Sequence, residues 1–242
     1  MKTYYFSVIC LLSAINMTAQ DANRILQDID RNMSSETQIV EATMVVHGRR
    51  NSRTMTSRSF TEGTNSFTEY LSPAREAGTK MLKLGNEMWI FSPSTDRTIM
   101  ISGHMMRQSV MGSDLSYEDM MDDRKMTDVY NATMSGRERY DDRDCLVLLL
   151  TAKTDDVAYP TQKMWVDAER MIPLKQELYA RSGQLLKRIT LSDVRRVDNR
   201  WFPMKMNYKD MLNDGNGTDW IITNIQFNQR IDPLIFNKAS LR

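Results

Sequence analysis

The chain has 242 residues, of which 26% are charged, and its 32 basic and 31 acidic side chains give a formal net charge of +1 at pH 7. That balance offers no electrostatic basis for binding nucleic acid or for steering to an anionic membrane. Two cysteines and two histidines leave little material for a disulfide framework or a metal centre.

Residues 1–19 read as a secretory signal peptide. Met1-Lys2 supplies one positive charge, an apolar stretch runs from Tyr4 to Ile15, and Ala19 is the small residue at the cut. The stretch is too short to span a bilayer comfortably. Cys10 lies inside it, after Val8-Ile9 and not after the small residue that precedes a lipid-modified cysteine. Its removal leaves Cys145 as the only thiol, so the exported chain forms no internal disulfide and depends on its core. Residues 20–242 contain no Pro/Gly/Ser-rich linker and no fixed-period repeat, and read as a single domain.

The exported part opens on a helix capped by Asp21, with Ile25, Ile29 and Met33 recurring every four residues. From Gln38 the period changes to two, as Val40, Ala42, Met44 and Val46 alternate with Glu41, Thr43 and Val45. Further strands are predicted over 53–61, 66–71, 80–84, 87–91 and 98–102, with turns at Gly85-Asn86 and over 92–96. The second half reads as a meander, cut by turn signals at 140–144, 167–170, 181–184, 197–200 and 213–217. One face of that sheet collects Ile172, Leu174, Leu178, Ala180, Phe202, Met204, Met206 and Tyr208, and the other Lys175, Glu177, Lys205, Asn207 and Lys209.

The segment between Ser102 and Thr127 breaks the strand pattern. Ser116-Tyr-Glu-Asp119 resembles a capping box with Asp in place of Glu, and a short helix can continue from there through Lys125. Ten of the chain's twenty methionines fall between Met81 and Met134. Methionine is unbranched and polarizable, so a concentration of it lines a surface fitted to flexible apolar guests, although a plain Met-rich core gives the same composition. The reading that follows is a single antiparallel curved sheet, an incomplete half-barrel in a mainly β fold with α, covered by an N-terminal helix and an inserted lid helix. Trp89, Phe91, Met100, Met105, Met106, Met111, Leu115, Met120 and Met121 are the candidate lipid-binding residues. A register error of one would turn each strand residue among them to the opposite face.

Five stretches carry a family resemblance: 81–93, 111–120, Met164-Trp-Val-Asp167 with Ile172-Pro-Leu-Lys175, Trp201-Phe-Pro203, and Ile231-Asp-Pro-Leu-Ile-Phe236. Together they resemble the outer-membrane lipoprotein-sorting proteins of the LolA-like superfamily, and Gly112-Ser-Asp-Leu-Ser-Tyr-Glu-Asp119 is the most specific piece. The resemblance implies a half-pipe closed by helices, whose inner wall holds acyl chains of lipoproteins or other lipids. It implies a periplasmic, monomeric carrier that moves cargo toward the outer membrane, with an inner-membrane exporter and an outer-membrane acceptor as partners. It also implies an arginine that locks the lid, for which Arg53, Arg58, Arg97 and Arg107 stand as equal candidates. The alternative is a periplasmic lipid or lipoprotein sensor on the same fold; sensors of this shape carry a further C-terminal domain, and the ending Asn237-Lys-Ala-Ser-Leu-Arg242 favours the carrier.

Catalytic chemistry is not expected. His47 and His104 have no ligand-spaced partner, so no metal is expected, and no cofactor other than a lipid or acyl-chain ligand. Asp122-Asp123 and Asp141-Asp142 read as solvated charge, Ser113 lacks a nucleophile elbow, and Cys145 opens a strand as a buried small hydrophobe.

Overall fold

The computed structural model describes residues 21–242. The signal peptide and its cleavage site therefore lie outside the described residues. Thirteen strands form one antiparallel sheet. In chain order they are β1 (Thr37–His47), β2 (Ser52–Glu62), β3 (Asn65–Ser72), β4 (Lys80–Leu84), β5 (Glu87–Ser92), β6 (Arg97–Ile101) and β7 (Tyr130–Tyr140). There follow β8 (Arg143–Ala152), β9 (Thr161–Asp167), β10 (Pro173–Tyr179), β11 (Leu185–Val197), β12 (Arg200–Asp210) and β13 (Thr218–Phe227). The order across the sheet is β6-β5-β4-β3-β2-β1-β13-β12-β11-β10-β9-β8-β7, so β6 and β7 are its two ends and it does not close into a barrel. Among the described residues no helix is long and apolar enough to cross a membrane.

Two compact units share these strands. One comprises the described residues up to Ser34 with Arg124–Leu186 and Arg200–Phe202, and the other Ser35–Asp123, Lys187–Asn199 and Pro203–Arg242.

In the first unit the N-terminal helix α1 spans residues 21–33. Its buried face is Ala22, Leu26 and Ile29, flanked by the half-buried Ile25 and Met33. This face rests on Tyr130 and Ala132 of β7, Leu146, Leu148 and Leu150 of β8, and Met164 and Val166 of β9. The side chains on β8 and β9 recur every second residue because successive strand positions face opposite ways. The sequence stripe of Ile25, Ile29 and Met33 was one edge of this face, and Ala22 and Leu26 complete it. Asp21 already lies in the helix.

Helix α1 also supplies a cap in trans. The Asp30 carboxylate accepts from the backbone N–H groups of Met126 and Thr127, both at 3.0 Å, at the start of a single helical turn over Met126–Val129. A carboxylate satisfies those orphan donors and complements the positive end of the turn. On the opposite face of this sheet, Lys175 and Glu177 do not point into open solvent. They pair at 3.0 Å, with the Lys175 ammonium 3.8 Å from the Trp165 ring centre.

In the second unit the sheet of β1 to β6 with β13 has apolar residues on both faces. One face gathers Phe67, Leu82 and Trp89 under the C-terminal residues Ile235, Phe236 and Leu241. The other lies under the segment from Gly103 to Asp123. The predicted lid helix is shorter than the sequence suggested. It forms two 3-10 turns, Gly103–Arg107 and Val110–Gly112, and one short helix, α2 (Tyr117–Met121), which stops at Asp122. Two consecutive aspartates at the negative end of a helix oppose its dipole, and Asp123 is drawn away to Lys83.

Candidate functional site

Alternation along the strands of the second unit turns a methionine-rich face toward the lid. Met44 and Val46 of β1, Met55 of β2, Tyr70 of β3, Met81 of β4, Met88 of β5 and Ile101 of β6 are buried in one cluster with Val110 and Tyr117 of the lid. The register makes cross-strand neighbours of Met44 and Met55, of Met44 and Trp220, and of Met88 and Ile101. Half-buried against this floor lie Met105, Met106, Met111, Met120 and Met121 of the lid, with Ile90 and Trp220. Thioethers thus face thioethers, and each can change rotamer at little cost.

Polar ties add to the burial of Val110 and Tyr117 in holding the lid. The Thr218 hydroxyl, fully buried, donates to Asp114 Oδ2 at 2.8 Å and accepts from the Asp114 backbone N–H at 3.0 Å. Asp114 Oδ1 accepts from the Asp210 backbone N–H at 3.0 Å. Ser116 and Asp119 form both halves of a capping box, and Asp119 also pairs with the buried Lys187. Lys83, 4% exposed, pairs with Asp123 just beyond α2 and donates to the Thr64 carbonyl at 2.7 Å. Arg53 on β2 donates from Nη2 to the Met111 carbonyl at 2.8 Å. That contact needs Gly112, which has φ +69° and whose Cβ, were it present, would lie 2.6 Å from Arg53 Nη2.

The structure does not bring all the predicted site residues together. Met105, Met106, Met111, Met120 and Met121 come together on the floor just described. Trp89 and Phe91 sit on the opposite face of β5 in the cluster of Phe67, Leu82 and Leu241, and Lys238 Nζ lies 3.9 Å from the Trp89 ring centre. Met100 is paired opposite Trp89 and is 43% exposed. Leu115 is half-buried, and its carbonyl accepts from the Val110 N–H at 2.8 Å. The same cluster holds Met44, Met55, Met81, Met88, Tyr70 and Trp220, which were not among the predicted site residues. Met44 and Met55 stand in cleanly alternating strands, so that signal was available. Met88 was masked because Trp89 and Phe91 make the other face of β5 equally apolar.

Of the four candidate arginines, Arg53 reaches the lid. Arg58 lies 3.8 Å from Glu41 and over the Phe60 ring, and Arg97 and Arg107 are exposed. The side chains set aside as weak catalytic candidates have structural partners. The Ser113 hydroxyl bonds to Leu115 within its own turn. His47 Nε2 lies 3.1 Å from Asp219 Oδ2. Burial pushes the Asp219 carboxyl up, but hydrogen bonds from Asn207, His47 and Lys205 outweigh it and hold the group below the usual carboxylate range. Cys145 is buried, and burial raises its thiol above the ordinary value, away from nucleophilic chemistry. Among the described residues no three His, Cys, Asp or Glu side chains are grouped to hold a metal ion.

A family model described as "Uncharacterized protein" matches residues 62–242. No curated protein sequence matches the chain. Among solved structures, the chain is similar to a domain from Vibrio parahaemolyticus classed as an outer membrane lipoprotein-sorting protein, at 24% identity and TM-score 0.79, with 92% of this chain and 99% of that one covered. It is similar to a DUF1329 family protein from Desulfovibrio piger at 23% identity and TM-score 0.81, covering 93% and 99%. It is similar also to a LolA superfamily protein from Nitrosomonas europaea at 23% identity and TM-score 0.73, covering 92% and 99%. At these identities the likeness is one of fold: an N-terminal helix with a large antiparallel sheet left open, as in the LolA-like structures.

Proposed function

We propose that this chain, which belongs to the family described as "Uncharacterized protein" whose model spans residues 62–242, is an exported lipid-binding carrier and not an enzyme. The observation that carries the reading is the lid: five half-buried methionines over a floor of buried ones, held in place by polar ties at Arg53, Lys83, Lys187 and Thr218. A guest lodged there would meet Met105, Met106, Met111, Met120 and Met121 above and Met44, Met55, Met81 and Met88 below.

The energetics suit a carrier. An acyl chain gains about 0.8 kcal/mol for each methylene taken out of water, so a sixteen-carbon chain offers on the order of 12 kcal/mol before immobilisation is subtracted. Insertion into a membrane returns a similar amount, so hand-over needs no fuel at the carrier if the site is more pliable than a packed core. Thioethers supply that pliability.

The Vibrio neighbour is classed with lipoprotein sorting, and we carry the theme to this chain. The cargo is the acyl part of a lipoprotein or another lipid, and the route is the periplasm, entered through the signal peptide of residues 1–19. An inner-membrane exporter and an outer-membrane acceptor are the partners such a route requires. The test is mass spectrometry of organic extracts from protein purified without detergent. A reproducible lipid at near one per chain supports the reading, and its absence from extracts of protein that still binds no added fatty acid overturns it.

A further inference from the structure

Among the described residues one fully buried side-chain polar atom has no hydrogen-bond partner, and it lies in the methionine floor. Tyr70 is 1% exposed, sits in the cluster with Met44, Met55, Met81, Met88 and Tyr117, and its hydroxyl has no hydrogen-bond partner. Its backbone is held by a pair of bonds to residues 78–79, Tyr70 N–H to the Thr79 carbonyl at 2.9 Å and Gly78 N–H to the Tyr70 carbonyl at 2.8 Å. The ring is therefore anchored at its root, and the hydroxyl is committed to the thioether layer. An unsatisfied buried hydroxyl is destabilising, and thioether sulfur is too weak an acceptor to offset that. Phenylalanine would fill the same space without that cost. Nearby on β2 and β3, the hydroxyls of Ser59 and Thr68 bond each other at 2.9 Å.

We propose that the Tyr70 hydroxyl is the polar recognition point of the lipid site, donating a hydrogen bond to the carbonyl oxygen of a neutral acyl ester or amide. The inference rests on the carrier reading and deepens it by naming the ligand's functional group. The hydroxyl is a donor at all physiological pH, because burial, followed by the nearby Tyr117 and Glu76, raises it well above the ordinary tyrosine value. The same surroundings disfavour a second negative charge. A free carboxylate would have to be desolvated among thioethers beside that field, whereas an ester or amide carbonyl brings an acceptor without a charge. Ester-linked and amide-linked acyl chains are the groups that lipids and lipoproteins share.

The test is displacement of the fluorescent apolar probe N-phenyl-1-naphthylamine by methyl decanoate, by tridecane, which has the same number of heavy atoms, and by decanoate, on the wild type and on Tyr70→Phe. The expected result is that Tyr70→Phe weakens methyl decanoate by roughly fivefold, as one net hydrogen bond requires, and leaves tridecane unchanged. Unliganded Tyr70→Phe should have a urea midpoint no lower than the wild type, since the hydroxyl it loses bonds nothing. Equal effects on ester and alkane, a larger loss for decanoate than for the ester, or a clear drop in the unliganded midpoint would each overturn the assignment. If both compounds displace the probe and only their ratio fails to change, the carrier reading stands and this inference falls. If neither displaces it from the wild type, both fall.

Discussion

Thr218→Val isolates the tie between the lid and β13. Valine keeps the shape of threonine and removes only the hydroxyl, which is fully buried and used twice: as donor to Asp114 Oδ2 at 2.8 Å and as acceptor from the Asp114 N–H at 3.0 Å. A hydrogen bond to a charged group contributes about 1.5–3 kcal/mol and a neutral one about 0.5–1.5 kcal/mol. Asp114 is only half-buried and keeps its bond from the Asp210 N–H, so water and that remaining donor recover part of the loss. A cost of about 2 kcal/mol is the working figure. The ties at Arg53, Lys187 and Lys83 are untouched, so the cost falls on local opening of the lid and raises its open population by about 30-fold. Hydrogen exchange followed by mass spectrometry should show that acceleration in peptides holding the Val110 and Ser113 amides, which bond to the Leu115 and Val110 carbonyls. Peptides of α1 should not change, and Thr218→Ser should behave as the wild type. Acceleration below about threefold, or equal acceleration in α1, would refute the reasoning.

Three further outcomes are expected. Met106→Asp places a carboxylate against the thioether floor at a cost of several kcal/mol to any apolar guest, so binding of a fluorescent fatty acid should fall at least about 100-fold with the circular dichroism spectrum near wild type; parallel loss of fold and binding favours a plain core. Gly112→Ala forces a side chain onto a residue at φ +69° and toward Arg53 Nη2, so lid amides should exchange faster, and Arg53→Ala should add little to that effect. Asp167→Asn removes a carboxylate that is 1% exposed and accepts from Arg143 Nε at 2.8 Å and Nη2 at 3.1 Å. Burial pushes that carboxyl up, but Arg143 and the Glu169 and Arg170 backbone N–H groups outweigh burial and hold it below its ordinary value. Its contribution to stability is therefore full above the unfolded carboxyl's pKa of about 4 and is lost as pH falls through the lower folded value. Urea denaturation should show Asp167→Asn less stable by about 2 kcal/mol at pH 7, because Arg143 keeps Glu169, with a gap that narrows toward pH 2; a gap independent of pH removes the argument.

The strands were legible because alternation is a one-dimensional signal: β1 repeats Ala42, Met44 and Val46 on one face, and turn residues such as Gly85-Asn86 mark where the chain reverses. The capping box was legible for the same reason, since Ser116 and Asp119 are three residues apart and both halves of it form. What was not legible depends on partners distant in sequence. Lys83 and Lys187 are buried, because Asp123 and Asp119 meet them from 40 and 68 residues away. Trp89 and Phe91 read as cavity aromatics because nothing local tells the two faces of β5 apart. The face they take is set by Ile235, Phe236 and Leu241, nearly 150 residues further on. The lid helix ran too long in the sequence reading because helical pattern alone does not register that Asp123 has a better partner than the helix axis.

The division of labour in the lid bears on how a carrier would select its cargo. The polar ties that help position the segment are specific in geometry: Asp114 to Thr218, Asp119 to Lys187, Asp123 to Lys83, and the Met111 carbonyl to Arg53. Every side chain the segment lays over the floor is a thioether, a valine or the Tyr117 ring. Hydrogen bonds and ion pairs lose most of their value with small displacements, whereas thioether contacts are nearly indifferent to which rotamer makes them. A segment held this way is fixed in position by its polar partners, while its thioether contacts tolerate several rotamers. Chain length and branching of a guest should therefore change affinity only through the apolar area buried. Discrimination between guests would have to come from a polar atom inside the layer, and among the described residues the floor presents one such atom without a partner, the Tyr70 hydroxyl. A series of methyl esters from ten to sixteen carbons should accordingly bind with steadily rising affinity and an unchanged sensitivity to Tyr70→Phe. A sharp optimum at one length would mean that the methionine layer is a shaped pocket and that its pliability is not what selects the cargo.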